Sequence, residues 1–174
     1  MFDASEEFER VFAEMRAGNI DALELLSGEI PGFPDGRDRW VGRAWITTAI
    51  HSRSVAAVRW MLSKNVLIIF RDDEGYTVLH SCMDEPFPER LEMLSLLIEH
   101  GADVNLKGIN DWTPLHMAIS RGDLAALKRL LLAGADRTIK TEIDHYLDPV
   151  EEAKRIGFEK ALKIFRETPI PPQT

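Results

Sequence analysis

A chain of 174 residues, 45% of them hydrophobic, is long enough to bury a core, and its formal net charge of -8 disfavours nucleic acid and anionic membrane while favouring a basic protein surface as partner. One cysteine, Cys82, leaves no internal disulfide framework. The longest apolar patch, Val66 to Phe70, is far too short to span a membrane, and the acidic opening Met-Phe-Asp-Ala-Ser-Glu-Glu lacks the order of a secretory leader; a cytoplasmic protein is expected.

In chain order, Glu6 to Leu26 reads as helix, Gly18, helix. A long connector from Ser27 to Val41 follows, carrying Ile30 and Phe33. Ala44 to Asn65 carries two stripes, Trp45, Ile46, Ala49 and Ile50, then Val58, Met61 and Leu62; Asn65 suits a left-handed helix end. Val66 to Phe70 is an apolar run, so it either packs under the connector, the expected case, or exposes a sticky patch. Glu74 to Asp103 and Asp111 to Asp136 are blurred copies of one another, each closing on Gly-Ala-Asp. The earlier copy is three residues longer, a surplus placed in the two-proline loop Asp84 to Arg90. Asp148 to Phe165 repeats helix, Gly157, helix, and the tail Thr168 to Thr174 is expected to be extended.

The spacing is regular. Thr113 to Gly134 is 21 residues, Gly101 to Thr113 is 12, and Ala44 to Thr77 is 33. This ruler divides one domain, 5–166, into units of about 5–38, 39–71, 72–107, 108–142 and 143–166, with a tail 167–174. One unit cannot bury both stripes, so units must stack.

Thr113 to Ala118, "TPLHMA", fits the signature T-P-L-H-x-A, and Gly101 to Asn105, "GADVN", fits the approach to the following finger. The chain therefore resembles the ankyrin-repeat family, with degenerate capping repeats at both ends. That resemblance implies an all-α solenoid of stacked helix-turn-helix units with short β-hairpin fingers. It also implies that His80 and His116 tie neighbouring backbone together and that Cys82 replaces a small buried alanine. No phosphate loop, zinc motif or nucleophile elbow is present, and Asp72 to Gly75 lacks calcium-loop spacing, so no catalytic residue, metal or cofactor is expected.

The resemblance further implies a concave binding surface of finger tips and first-helix ends. By register the fingers offer Trp40, Val41 and Arg43; Asp73, Glu74 and Tyr76; and Ile109, Asn110 and Trp112. The palm offers His51 and Ser52; Asp84 and Glu85, with Phe87 on the inserted loop; and Ser120 and Arg121. Trp40 is expected to meet a partner, whereas Tyr76 and Trp112 could equally pack on the neighbouring finger. Asp111 holds a left-handed finger position that is normally glycine. The expectation is a non-enzymatic module, monomeric alone, that binds another protein with a basic surface and neither nucleic acid nor membrane. The alternatives are a dedicated inhibitor or immunity protein, a metal-dependent enzyme built on the histidines, and self-assembly through Val66 to Phe70.

Overall fold

The computed structural model describes residues 3–84, 86–142 and 145–169, and its ten α-helices pair in sequence. The pairs are α1 (Ala4–Ala17) with α2 (Ile20–Glu29), α3 (Trp45–His51) with α4 (Val55–Ser63), and α5 (Val78–Asp84) with α6 (Arg90–Glu99). They continue with α7 (Pro114–Ser120) and α8 (Leu124–Leu132), then α9 (Pro149–Arg155) and α10 (Glu159–Glu167). First helices stack in one row, α1 on α3 on α5 on α7 on α9. Second helices stack in another, α2 on α4 on α6 on α8 on α10. Each pair thus covers apolar stripes its neighbours could not bury alone, which gives the expected all-α solenoid.

Local chemistry sets where these helices begin. Thr113 and Asp148 start first helices through reciprocal caps: His116 Nδ1 accepts the Thr113 N–H at 3.2 Å, and a Glu151 carboxylate oxygen accepts the Asp148 N–H at 3.0 Å. Three second helices follow a left-handed residue and a capping side chain. The pairs are Gly18–Asn19, Arg53–Ser54 and Gly122–Asp123, with φ of 65°, 61° and 67° at the left-handed positions. Arg53 is the odd member, an L side chain held in a conformation that favours glycine. Asn65, at φ 56°, ends α4 as its position suggested.

The two rows meet over small residues. Ala49, Cys82, Ala118 and Ala153 recur at equivalent places in four first helices and are all fully buried. The Cys82 thiol is pushed up to about 12 by burial, so it is an inert core group rather than a nucleophile. Opposite them, Leu23, Met61, Leu94, Leu97 and Leu127 fill the second row.

The fingers are tight turns. Three close on main-chain bonds from the N–H of Asp38, Asp72 and Gly108 to the carbonyls of Arg43, Tyr76 and Trp112, the first with a second bond from Trp45 to Gly36; further on, the Thr141 N–H reaches the Leu147 carbonyl. One bridge, Arg37 with Ala44, is all the β-pairing among the described residues. These spans are too short to add the ladders that the word hairpin implies. Val66 and Ile68 turn inward and Phe70 is half-buried, whereas Leu67 and Ile69 are 62% and 57% exposed. The stretch therefore packs under the connector with alternate side chains only; the Leu67 N–H reaches Asp35 at 2.6 Å. The helix α10 reaches Glu167, and residues 170–174 of the expected tail lie outside the described residues.

Gly108 shows how closely two units meet. A Cβ there would lie 2.6 Å from His80 Cε1 and 2.9 Å from the Gly75 carbonyl oxygen, although its φ of -120° suits any residue. Gly108→Ala is therefore expected to lower stability by about 1–3 kcal/mol, the range for overpacking, read as a drop in the urea midpoint. An unchanged midpoint would show that the ring moves aside freely.

Candidate functional site

The site grows from how each finger tip is held. Asp38 is buried, and its carboxylate accepts the main-chain N–H groups of Trp40, Val41, Gly42 and Arg43 at 3.0, 2.5, 3.2 and 2.8 Å. Asp72 does the same for the next finger, accepting from Glu74 at 3.1 Å and Tyr76 at 2.7 Å. These two aspartates stand 34 residues apart and fix the tips that carry six of the nine finger candidates.

A groove opens between those tips and the ends of α3 and α5. Val41, Arg43, His51, Asp73, Glu74, Tyr76 and Asp84 line one cavity of about 150 Å³. Arg43, His51, Glu74 and Asp84 continue into a wider one of about 390 Å³ that ends at Phe87. Eight residues named from sequence thus converge. Phe87 is half-buried, with the Arg53 guanidinium 6.0 Å from its ring centroid. Asp72 lines the groove with them, as do Arg37 and the buried Ser81 of α5, which were not anticipated.

Other candidates stand elsewhere. Trp40 is 54% exposed and leans on Phe8, ring centroids 5.3 Å apart, beside the groove rather than in it. Trp112 is half-buried and lines a separate cavity of about 270 Å³ with His116, Thr141, His145, Leu147, Glu152 and Arg155. Ile109 is half-buried, and Asn110 is exposed in a left-handed turn at φ 54°. Asp111 follows at φ 59°, and its carboxylate accepts the Glu142 N–H at 2.8 Å, joining two fingers. Ser52 corrects the palm: it is buried, and its hydroxyl donates to the Ala49 carbonyl at 2.7 Å, so it offers a partner nothing. Ser120 and Arg121 are exposed at the end of α7. Glu85 lies outside the described residues.

The electrostatics are more balanced than the acidic letters suggest. Arg121 donates to both the carbonyl and the carboxylate of Asp84, the latter at 2.6 Å, linking α5 to the end of α7. Arg37 lies 3.6 Å from Asp73, an exposed and therefore weak pair. Burial, then the negative charges of Asp84, Glu74 and Asp72, raise the Tyr76 phenol above its ordinary pKa against the opposing effect of Arg121. Tyr76 also sets its ring edge against His80 at 6.4 Å, so it packs and faces the groove at once.

The histidines act within the scaffold. His116 Nε2 donates to the Leu147 carbonyl at 3.1 Å, tying its unit to the next finger. His80 pairs through Nδ1 with Thr77 Oγ1 at 2.7 Å, and its Nε2 is buried without a hydrogen-bond partner. Burial holds His80 down to about 4 and lowers His116 as well. Among the described residues no group of three His, Cys, Asp or Glu side chains is placed to hold a metal ion, and no helix is long and apolar enough to cross a membrane.

Comparison with known proteins supplies a family. The profile described as ankyrin repeats (3 copies) matches residues 11–108, and ankyrin repeats (many copies) matches 87–131. A putative ankyrin repeat protein of Rickettsia bellii is 32% identical over 112 residues, covering 62% of this chain and 45% of its own. One from Rickettsia felis is 32% identical over 100 residues, 58% of this chain and 26% of its own. Human protein phosphatase 1 regulatory subunit 27 is 32% identical over 79 residues, 45% of this chain and 49% of its own. The chain spans about half or less of the length of the curated relatives it matches.

Proposed function

The chain belongs to the ankyrin-repeat family, and from that membership we propose a non-enzymatic module that holds another protein, one with a basic surface, across its finger tips and concave palm. The observation that carries the reading is the groove: residues from two fingers and two first helices, far apart in sequence, meet around one continuous opening. A relative named as a regulatory subunit supports action on another protein rather than chemistry of its own.

The net charge of -8 and the exposed Asp73 and Glu74 at the rim steer a basic surface toward the opening, while Trp40 beside it and Val41 on its wall supply apolar contact. Capture of a partner by the tagged chain, followed by titration, tests this. The double variant Asp73→Lys with Glu74→Lys is expected to weaken binding about tenfold and to flatten its salt dependence. Leu132→Lys, on the outer row, is expected to bind as wild type. Equal affinity of the double variant and wild type at low salt would refute a basic partner at this rim. A dedicated inhibitor would reveal itself in the same capture as one dominant partner whose own activity is blocked.

A further inference from the structure

The left-handed corner of each finger singles out a residue far from the groove. Gly42, Gly75, Asp111 and Tyr146 each stand one residue before the closing carbonyl of Arg43, Tyr76, Trp112 and Leu147, at φ of 78°, 86°, 59° and 53°. Glycine takes that conformation freely, whereas a side chain as bulky as tyrosine is strained in it. The other non-glycine residues at positive φ each have a local reason. Asn65 and Asn110 are of the type that tolerates the conformation, and Arg53 lies over the Phe87 ring. Asp111 accepts the Glu142 N–H and pairs with Lys107. Tyr146 has no such reason. It is 65% exposed, and among the described residues it makes no hydrogen bond and no ring contact. His145 and Leu147 on either side line the cavity beside Trp112, and Tyr146 does not.

Backbone strain that serves no contact inside the chain marks a side chain held for something outside it. What Tyr146 offers is an open ring face. The chain carries a net charge of -8, and Glu142 on the same finger is 81% exposed, sharing Lys107 with Asp111. A cation therefore suits that ring face. A guanidinium suits it better than an ammonium, because it is planar, stacks flat and is more weakly hydrated. We infer that Tyr146 anchors the partner by stacking against one of its arginine side chains. The inference rests on the protein-binding reading and extends the contact surface to the fifth unit, beyond the groove of the second and third.

Two measurements on the full chain test this without the partner. Tyr146→Gly relieves the strained corner, so the urea midpoint is expected to rise by roughly 0.2–0.5 M. A midpoint that does not rise would show that the fold itself needs the ring, and would overturn the proposal. The second measurement is an NMR titration with acetyl-Gly-Arg-Gly-amide and its lysine and citrulline counterparts, the last keeping the arginine shape without the charge. Saturable shifts of the Tyr146 ring and amide are expected with the arginine peptide, at least about threefold tighter than with the lysine peptide and absent with citrulline. No saturation at Tyr146, or an equal response to lysine or citrulline, overturns the proposal. If no partner is captured while the arginine peptide still titrates, only the wider reading falls. If wild type and Tyr146→Gly capture one partner with equal affinity, only this inference falls.

Discussion

Asp123→Ala is expected to lower the unfolding free energy by about 1–3 kcal/mol, between the ranges for an exposed and a buried ion pair broken from one side. Arg90 at the start of α6 lies 2.5 Å from Asp123, with side chains only 16% and 10% exposed. The same carboxylate caps α8 by accepting the Ala126 N–H at 3.0 Å. Alanine therefore removes a cap, worth about 1 kcal/mol, and leaves a half-buried guanidinium unpaired between α6 and α8. The two parts separate experimentally. Asp123→Ser keeps a capping oxygen but leaves Arg90 unpaired, and adding Arg90→Met removes the stranded charge. Urea unfolding is expected to rank the double variant above Asp123→Ser alone. The reverse order would show that water relieves Arg90 and that the pair contributes little. Since α6 and α8 belong to adjacent units, the loss falls on one interface of a solenoid, and a broadened transition is also expected.

Acidification is expected to act at a neighbouring seam. His80 titrates near 4 in the folded chain and near 6.5 when unfolded, so only the unfolded state takes up its proton between those values. Stability is thus intact above about pH 6.5 and falls as pH drops, at about 1.4 kcal/mol per pH unit, until His80 itself protonates near 4. The full loss is about 3 kcal/mol, of which about 2 is gone by pH 5. His116 shifts in the same direction and adds to the effect. The carboxylates of Glu24, Glu151 and Glu152 are lowered by their hydrogen-bond partners, so their contribution disappears only under more acidic conditions. Unfolding free energies at about pH 7 and pH 5 check this, with His80→Asn expected to flatten the slope whatever its baseline stability. A wild type equally stable at both pH values would contradict it.

Much of this architecture was legible because stacking requires a period. The places of Ala49, Cys82, Ala118 and Ala153 follow from counting, as do the left-handed Asn65 and Asp111. Arg53 was countable but not read: nothing in its chemistry favours φ near 61°, yet it stands nine residues after Ala44, as Gly122 and Gly157 stand nine after Thr113 and Asp148. The site was half legible. Register brought Arg43, Glu74, Tyr76 and Asp84 to one groove, yet it could not tell which charges were already engaged. Arg121 and Asp84 meet across 37 residues, a contact that no local pattern encodes. Asp38 was missed although Asp72, 34 residues later, plays the same part; paired by that step, the two aspartates would have disclosed how the tips are fixed. Ser52 failed because a position at a helix end says nothing about which way a short side chain turns.

Hydrogen exchange of the chain, free and saturated with its captured partner, tests the central claim most directly. Slower exchange is predicted at residues 37–43, 72–76 and 81–84, with α2, α4, α6 and α8 unchanged. Protection confined to those second helices, with the groove exchanging as in the free chain, would contradict it.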